Sequence, residues 1–425
     1  MSQLLDSILS RSNMLEAYNQ VKANKGSAGV DGITIDKIDN YLRQHWRPTK
    51  ELIKQRKNKP QPVLRVEIPK PNGGVRQLGI PTVMDRMIQQ AIVQVISPLC
   101  EPHFSETSYG FRPNRSCEKA IIKLLEYLND GYEWIVDIDL EKFFDTVPQD
   151  RLMSLVHNII QDGDTESLIR KYLKSGVLSH GQVEETPIGT PQGGNLSPLL
   201  SNIMLNELDK ELESRGLRFV RYADDCVITV GSEASAKRVM HSISRFIEKR
   251  LGLKVNMTKT KVTRPGQLKY LGFGFWKSAQ GWKSRPHQDS VQSFKRKLKK
   301  LTTRKWSIDL DSRIEKVNWL IRGWINYFAL TNMKSAMAEI DERLRTRVRV
   351  IIWKQWKKKS RRLWGLLKLG VPRWIADKVS GWGDHYQLVA QKSVLKRAIS
   401  KPVLIKRGLV SCLDYYLERH ALKVS

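Results

Sequence analysis

The run Arg221-Tyr222-Ala223-Asp224-Asp225 lies between two apolar stretches, residues 217–220 and 226–230. Apolar and β-branched residues on both sides of a short polar segment predict two strands joined by a tight turn. Adjacent aspartates disfavour strands and repel each other, so a cation is the expected partner, and Mg²⁺ is the first candidate because it prefers oxygen ligands. A solvated Asp-Asp turn is the alternative interpretation of the same residues.

A second group of carboxylates follows a strand-like run at residues 134–138. Asp137 and Asp139 are two residues apart, so they would share one face of that strand. We predict Asp139 as the third metal ligand, and Asp137 is an alternative contributor to the same site.

The remaining patterns predict an α+β chain with a helical C-terminal part. Residues 190–202 contain a glycine turn that leads into a helix, with Ser197 as the predicted N-cap and Pro198 in the first turn. Two short strands precede another helix, and helical patterns dominate beyond about residue 288. The predicted segments are the strands 64–68 and 75–78, the helix 83–96, and the C-terminal helices 291–303, 312–327 and 337–358.

The chain is strongly basic, with 73 Lys and Arg against 43 Asp and Glu in 425 residues and a net charge of +30. Between residues 291 and 425 there are 32 Lys and Arg against 10 Asp and Glu, and eight of the twelve tryptophans lie there. This balance indicates a polyanionic partner. For Trp319, Trp353 and Trp356, helical spacing favours a place in a core over contact with nucleic acid.

The sequence shows no run of about 18 apolar residues and no signal-peptide pattern, which argues against a membrane protein and for the cytosol. The cysteines are scattered and lack the Cys-x-x-Cys spacing of zinc sites. We therefore expect them to be reduced and structural. They are Cys100, Cys117, Cys226 and Cys412.

In this order, the acids near residue 139, the glycine turn and the Asp-Asp hairpin resemble the palm of reverse transcriptases. The resemblance is to the group II intron-encoded reverse transcriptase/maturase family in particular, and it covers nearly the whole chain. It implies an α+β right-hand polymerase fold, with fingers and palm, followed by an α-helical thumb/maturase domain. Further similar segments lie at residues 24–32, 65–71, 74–81, 109–113, 252–261, 270–273 and 321–328.

The resemblance also implies an order of domains. Many relatives carry a C-terminal endonuclease domain with clustered cysteines and histidines, and we expect this chain to resemble the compact bacterial class without it. The expected domains are an N-terminal extension over 1–62, fingers over 63–115, a palm with the metal site over 116–287, a helical thumb/maturase domain over 288–360, and a small basic DNA-binding-like region over 361–425.

For the chemistry, the resemblance implies an RNA-directed DNA polymerase that uses two Mg²⁺ ions, with Mn²⁺ as a substitute. Nucleotidyl transfer needs carboxylates from separate strands to hold both ions. We expect Asp139 and Asp224 to bridge the ions and Asp225 to support them. Lys259 resembles a lysine that protonates the leaving pyrophosphate, and Lys261 is the alternative for that general-acid role.

Further site residues follow from the same resemblance. Phe144 stands five residues beyond Asp139, where an aromatic ring would collide with a ribose 2′-hydroxyl, so deoxynucleotides are favoured and an RNA-templated RNA polymerase is disfavoured. The residues expected to bind the incoming dNTP are Lys70, Arg76, Phe144 and Gln192. Those expected to contact template or primer are Gly29, Arg112, Arg322 and Trp324.

The implied partners are group II intron RNA, an RNA template with a DNA or RNA primer, target DNA and dNTPs, and the implied location is a ribonucleoprotein in the bacterial cytoplasm. The protein would assist splicing of the intron and copy it into cDNA by target-primed reverse transcription during retrohoming. A splicing-only maturase is one alternative, although such proteins typically lose the paired aspartates or the fingers. A domesticated reverse transcriptase in DNA repair or phage defence is the other.

Overall fold

A computed structural model describes residues 2–69, 73–190 and 193–424 of the chain. The chain divides into two compact units, Met1–Arg264 and Pro265–Ser425. Within the described ranges, no helix combines the length and the apolar character that crossing a membrane requires.

The first unit mixes helices and strands, as the patterns predict. Its helices are α1 (Gln3–Ile8), α2 (Arg11–Ala23), α3 (Ile38–Lys54), α4 (Val83–Cys100), α5 (Cys117–Asn129), α6 (Phe143–Thr146), α7 (Gln149–Ile160), α8 (Gly163–Leu173), α9 (Ser197–Ser214) and α10 (Glu233–Phe246). Its strands are β1 (Val63–Pro69), β2 (Val75–Ile80), β3 (Trp134–Ile138), β4 (Val177–Ser179), β5 (Gln182–Glu184), β6 (Arg218–Tyr222), β7 (Asp225–Val230) and β8 (Lys261–Thr263).

The strands form two sheets. One has the order β2-β1-β4-β5 and contains the predicted hairpin, in which Pro69 pairs with Val75; residues 70–72 of its turn lie outside the described residues. The other has the order β6-β7-β3-β8, and every neighbouring pair in it is antiparallel. In this second sheet Tyr222 pairs with Asp225, which confirms the predicted hairpin around the paired aspartates.

Helix α9 packs against this second sheet and is buried along most of its length. Its beginning differs by one residue from the sequence prediction. Ser197 is the first helical residue and Leu196 occupies the cap position without a side-chain cap, while Pro198 lies in the first turn as expected. The glycine turn therefore passes directly into the helix.

A buried ion pair joins α9 to the end of β6. The Arg221 guanidinium donates from Nε and Nη2 to the two carboxylate oxygens of Asp209, at 2.7 and 2.5 Å. Both side chains are completely buried. Nη1 of Arg221 donates to Oδ1 of Asn202 at 3.1 Å and to the Ala223 carbonyl at 2.9 Å. The pair thus anchors the turn between β6 and β7 to the helix behind it.

The second unit is a β-hairpin followed by helices, which confirms the predicted helical C-terminal part. Its elements are β9 (Phe273–Ser278), β10 (Gly281–Pro286), α11 (Gln288–Leu301), α12 (Leu310–Phe328), α13 (Lys334–Gln355), α14 (Lys359–Lys368), α15 (Arg373–Ser380), α16 (Tyr386–Gln391), α17 (Ser393–Ala398), α18 (Lys401–Lys406) and α19 (Cys412–Val424).

The tryptophans of this unit divide between core and surface. Trp353 is fully buried and Trp356 packs against the same cluster, as the spacing predicts. The prediction for Trp319 is wrong, because its side chain is 63% exposed. Helix α12 buries the face that carries Val317 and Ile321, and a residue midway between them points to the opposite side.

Replacing one member of the buried ion pair tests its contribution to stability. We expect Asp209→Asn to lower the free energy of unfolding by about 3–5 kcal/mol, because it leaves the Arg221 guanidinium buried without its anion. Urea unfolding at constant pH measures the loss. In Lys237→Met, which removes the exposed 2.6 Å pair with Glu233, the change should stay below about 1 kcal/mol. Equal effects of the two substitutions would contradict the assignment.

Candidate active site at the hairpin tip

The turn between β6 and β7 consists of Ala223 and Asp224, and Asp225 is the first residue of β7. Ala223 has φ +57°, a conformation that is unfavourable for a residue with a Cβ. It persists because Ala223 is buried and its carbonyl accepts the hydrogen bond from Arg221. The strained turn therefore fixes the direction in which the Asp224 and Asp225 side chains leave the sheet.

A loop on the outer side of β6 supports the same turn. A Cβ on Gly110 would lie 2.3 Å from the Ala223 nitrogen, so only glycine allows this approach. Nδ2 of Asn202 donates to the Gly110 carbonyl at 2.8 Å. The Tyr109 amide donates to the Arg221 carbonyl at 2.8 Å, which fastens the loop to the edge strand.

Asp139 directly follows β3, and the β3–β7 register, extended by one residue, places it opposite Asp225. Its backbone amide donates to Oγ1 of Thr260 at 3.1 Å, and its carbonyl accepts from the Asn256 amide at 2.8 Å. Nζ of Lys259 lies 3.4 Å from Oδ2 of Asp139. The structure thus brings Asp139, Asp224, Asp225 and Lys259 to one end of the sheet.

The carboxylates at this end perturb one another. Burial of the carboxyl group and the negative charges of Asp224, Asp137 and Asp139 together raise the pKa of Asp225 to about 6. Burial also raises the pKa of Asp224, and the Arg76 cation opposes the rise at both residues. Arg76 therefore lies within electrostatic range of the paired aspartates, which is consistent with a place beside the triphosphate.

Asp137 is the neighbour on the same face of β3. Burial raises its pKa to about 6; the Lys261 cation lowers the pKa and Asp139 raises it. Lys261 stands directly opposite Asp137 in the β3–β8 register. Lys259 therefore lies beside Asp139, whereas Lys261 lies opposite Asp137. These are the two lysines that the sequence left as alternatives for the general-acid role.

The donor set suits a hard divalent cation. Several carboxylate oxygens approach from two strands and a turn, and a cation would offset the burial and the mutual repulsion that raise their pKa values. Within residues 2–69, 73–190 and 193–424, no group of three or more His, Cys, Asp or Glu side chains is arranged so that it could hold a metal ion as it stands. Complete coordination would therefore need side-chain rotation or oxygen atoms from a bound nucleotide.

A cavity of about 300 Å³ lies between the strands β1 and β2 and the helix α6, near the predicted sugar-discriminating residue. Phe144 lines it, and Lys70 and Gln192, two of the predicted nucleotide ligands, lie outside the described residues. Gly193, which follows Gln192, has φ +109° and approaches the Gly79 carbonyl of β2 so closely that a Cβ would lie 2.4 Å away. Other lining residues that sequence analysis did not single out are Arg65, Gln77, Lys142 and Thr190.

Comparison with known proteins agrees with this geometry. Residues 68–275 match the family described as reverse transcriptase (RNA-dependent DNA polymerase), and residues 291–370 match the group II intron, maturase-specific domain. Protein YkfC of Escherichia coli (strain K12) is 34% identical over 289 residues, which cover 59% of this chain and 76% of YkfC. The chain belongs to the group II intron-encoded reverse transcriptase/maturase family.

Other members are similar over a smaller share of their length. The group II intron-encoded protein LtrA of Lactococcus lactis subsp. cremoris is 31% identical over 60% of this chain and 54% of its own. The putative COX1/OXI3 intron 2 protein of Saccharomyces cerevisiae is 31% identical over 65% of this chain and 39% of its own. The chain thus spans about half the length of LtrA and less of the yeast protein.

These matches confirm the predicted polymerase fold and the enzyme class, which is that of the RNA-directed DNA polymerases. Enzymes with a reverse transcriptase domain use divalent metal ions. Members of the family with the maturase-specific domain also bind intron RNA.

The predicted template and primer contacts of this reverse transcriptase/maturase occupy different environments. Gly29 is buried so closely against Thr82 that a Cβ would lie 2.7 Å from its backbone. The Arg112 guanidinium is buried and binds the Glu101 carboxylate at 2.8 Å and the Ser108 carbonyl at 2.8 Å, which supports the loop beside the hairpin. Direct contact of either residue with nucleic acid stays a prediction.

The two predicted contacts in the maturase-specific domain also differ from each other. The Arg322 side chain is exposed on α12. The Trp324 ring stacks on Phe294 with centroids 4.5 Å apart, and it also contacts Phe328. Trp324 therefore packs α12 against α11, and its contact with template or primer stays a prediction.

Sequence reasoning missed the residues that hold the site in place. Asn202 and Asp209 lie on α9, 92 residues from Gly110 and 12 residues from Arg221 respectively, and their pattern resembles that of any amphipathic helix. The one available signal was the unusual burial expected for Arg221 within an otherwise apolar strand, since a buried arginine needs an acidic partner.

The raised pKa of Asp225 predicts an inverted pH dependence of stability in metal-free buffer. The native state holds the Asp225 proton up to about pH 6 and the unfolded state only to about pH 4, so the contribution of Asp225 to wild-type stability falls as the pH rises between these values. Asp225→Asn should therefore raise the melting temperature at pH 7 and leave it nearly unchanged at pH 4. Thermal unfolding in the presence of a chelator measures both.

Asp150→Asn is the matched control for that experiment. Asp150 is exposed and its pKa is lowered by the hydrogen bond from Arg170, so this substitution removes no repulsion. No stabilisation of Asp225→Asn at pH 7, relative to this control, would show that the carboxylates at the hairpin tip do not repel one another.

Proposed function

We propose that this protein copies an RNA template into DNA with two Mg²⁺ ions held by Asp139, Asp224 and Asp225. We also propose that it binds group II intron RNA, assists its splicing, and copies it at a DNA target. One observation carries the polymerase assignment: the hairpin turn and the end of β3 bring these three carboxylates to one end of a sheet, with Arg76 within electrostatic range of Asp224 and Asp225.

The chemistry divides among the residues of the site. When bound, the two ions would activate the primer 3′-hydroxyl and stabilise the charge on the pyrophosphate. Asp139 and Asp224 approach from separate backbone segments, which lets their carboxylates hold two ions at once. Arg76 would bind the triphosphate of the dNTP, together with Lys70, which lies outside the described residues. Gln192, which precedes Gly193 in the sequence, would lie against the same nucleotide.

Lys259 is the proposed general acid of the reaction. Its ammonium group lies 3.4 Å from Asp139, a proposed metal ligand, and we propose that the pyrophosphate leaves close to it. An ammonium group in this position can donate a proton to the departing oxygen. Lys261 faces Asp137 instead, so we assign the general-acid role to Lys259.

The basic second unit supports the proposed binding of intron RNA. Between residues 291 and 425, Lys and Arg outnumber Asp and Glu by 32 to 10. Trp374 is 75% exposed, and the half-exposed Trp364 lies beneath two cations, Arg361 and Lys368, on the same helix. Exposed aromatic rings beside cations suit stacking on bases together with contacts to phosphates.

The location of the protein and the fate of the cDNA are proposed by analogy with a relative. LtrA is encoded by a group II intron in a bacterium, and by analogy we propose that this protein acts as a ribonucleoprotein with its intron RNA in the bacterial cytoplasm. Insertion at a DNA target by target-primed reverse transcription would complete the cycle. The dNTPs and the target DNA are its proposed additional partners.

Primer extension on an RNA template tests the polymerase proposal. With Mg²⁺ and dNTPs we expect long cDNA from the wild type, and a loss of more than about 10³-fold in Asp224→Asn, since metal ligation supplies several kcal/mol of transition-state stabilisation. Asp150→Asn, on the exposed surface of the same unit, should retain wild-type activity. Retained binding of intron RNA by Asp224→Asn would show that the variant is folded.

The wild type itself decides between the proposal and its alternative. Tight binding of intron RNA without extension by the wild type would contradict the polymerase proposal and favour a splicing-only maturase. Extension without any preference for intron RNA over an unrelated structured RNA would contradict the maturase part of the proposal and favour a domesticated enzyme.

Substitution of the two lysines separates their roles. Lys259→Met should slow single-nucleotide incorporation by about 10²-fold, the size of a lost general acid, with little change in the KM for dNTP. Lys261→Met should have a smaller effect, because Lys261 pairs with Asp137 across the sheet. Rapid-quench measurements with saturating dNTP compare the two variants, and an equal loss in both would argue against the assignment.

A further inference from the structure

Phe144, the predicted sugar-discriminating residue, lies in the helix α6, which has little stability by itself. Helix α6 has only four residues, and it is entered through Lys142 at φ +45°. So short a helix has little stability of its own, because nucleation consumes the entropy of a whole turn. The position of Phe144 must therefore be set by contacts from outside the helix.

Phe143, the neighbouring residue, is buried in the core, and the backbone of α6 is contacted by residues 186–190. The Thr190 amide donates to the Phe144 carbonyl at 2.6 Å, and the Gly189 amide donates to the Val147 carbonyl at 2.8 Å. Gly189 has φ +87°, and a Cβ there would lie 2.8 Å from the Phe144 carbonyl oxygen. The loop thus lies directly against the backbone of α6, and the two form one wall of the 300 Å³ cavity.

A buried side-chain amide makes three hydrogen bonds, two of them to this loop. Nε2 of Gln149, the first residue of α7, donates to the carbonyls of Thr186 and Gly189, each at 2.9 Å, and to that of Leu173 at 3.1 Å. Gln149 is only 3% exposed. Its Oε1 is buried and makes no hydrogen bond with any described residue. The side chain therefore acts as a donor alone, at the cost of leaving its own acceptor unsatisfied.

We propose that Gln149 is a positioning residue for sugar discrimination: its amide clamps the 186–190 loop against α6 and so holds Phe144 where it excludes a 2′-hydroxyl. The inference rests on the proposed polymerase function. Steric exclusion depends on distance, because a ring that recedes by about 1 Å from a hydroxyl no longer collides with it. Loosening the loop should therefore admit ribonucleotides without removing any group that touches the reacting atoms.

The experiment compares kcat/KM for dGTP and GTP on one primer and RNA template in Gln149→Met, which keeps the length and the apolar volume of the side chain but donates no hydrogen bond. We expect the preference for dGTP to fall by about tenfold or more, with kcat for dGTP changed by less than about threefold. Phe144→Ala provides the reference for complete loss of the steric barrier.

Asn206→Leu is the matched control. Asn206 is also a buried amide in the first unit, with Nδ2 donating to the His103 carbonyl at 2.9 Å and Oδ1 without a hydrogen bond to any described residue. Its substitution should cost similar stability but leave the preference for dGTP unchanged. A melting temperature for each variant separates loss of folding from loss of discrimination.

A second variant covers the case in which Gln149→Met does not fold. Oγ1 of the half-buried Thr186 donates to the Leu173 carbonyl at 2.9 Å, so Thr186→Val removes one bond of the same loop and should lower the dGTP preference by a smaller factor. Wild-type preference in a folded Gln149→Met, or in Thr186→Val when the former is unfolded, overturns the inference. Absence of extension by the wild type would instead remove the proposed function on which the inference rests.

Discussion

The buried Arg221–Asp209 pair is the interaction on which the candidate site depends. A guanidinium without solvent needs all its donors satisfied, and this one divides them among Asp209, Asn202 and the Ala223 carbonyl. The bidentate geometry of arginine and carboxylate then fixes distance and angle together. The positive φ of Ala223 is consequently stabilised by the contacts between Arg221 and α9, and not by the hairpin sequence alone.

The rigidity of this support explains how carboxylates that repel one another can stay close. Flexible side chains on a mobile turn would separate, whereas here β3, β7 and the strained turn hold Asp139, Asp225 and Asp224 at one end of the sheet. Burial of the carboxyl groups and their mutual repulsion both raise the pKa values of Asp224 and Asp225, so the ionised forms are disfavoured in this arrangement. Proteins accept such local instability at functional sites, where a ligand with the opposite charge relieves it.

The sequence predicted what depends on neighbours along the chain and missed what depends on distant partners. Period-two and helical patterns predicted the Asp-Asp hairpin, the β1–β2 hairpin and the C-terminal helices, because burial of one face imposes those periods. Asp209 and Gln149 could not be predicted, since a polar residue in an amphipathic helix reveals nothing about the carbonyl or guanidinium that it will meet. Ser197 was predicted as the N-cap but is the first helical residue. Trp319 was predicted in the core but lies on the exposed face of its helix.

The division of the tryptophans bears on how the second unit would recognise RNA. Trp353 is fully buried, whereas Trp319 and Trp374 are largely exposed, although all three lie in basic helices. Charge alone attracts any polyanion, because the phosphate groups of RNA are the same whatever its base sequence. Selective binding of one folded RNA therefore requires groups that meet its bases and its shape, and exposed rings beside cations are the groups of this kind that the second unit offers. Under the proposed function, the lysines and arginines would supply most of the affinity, and the exposed aromatic residues most of the selectivity.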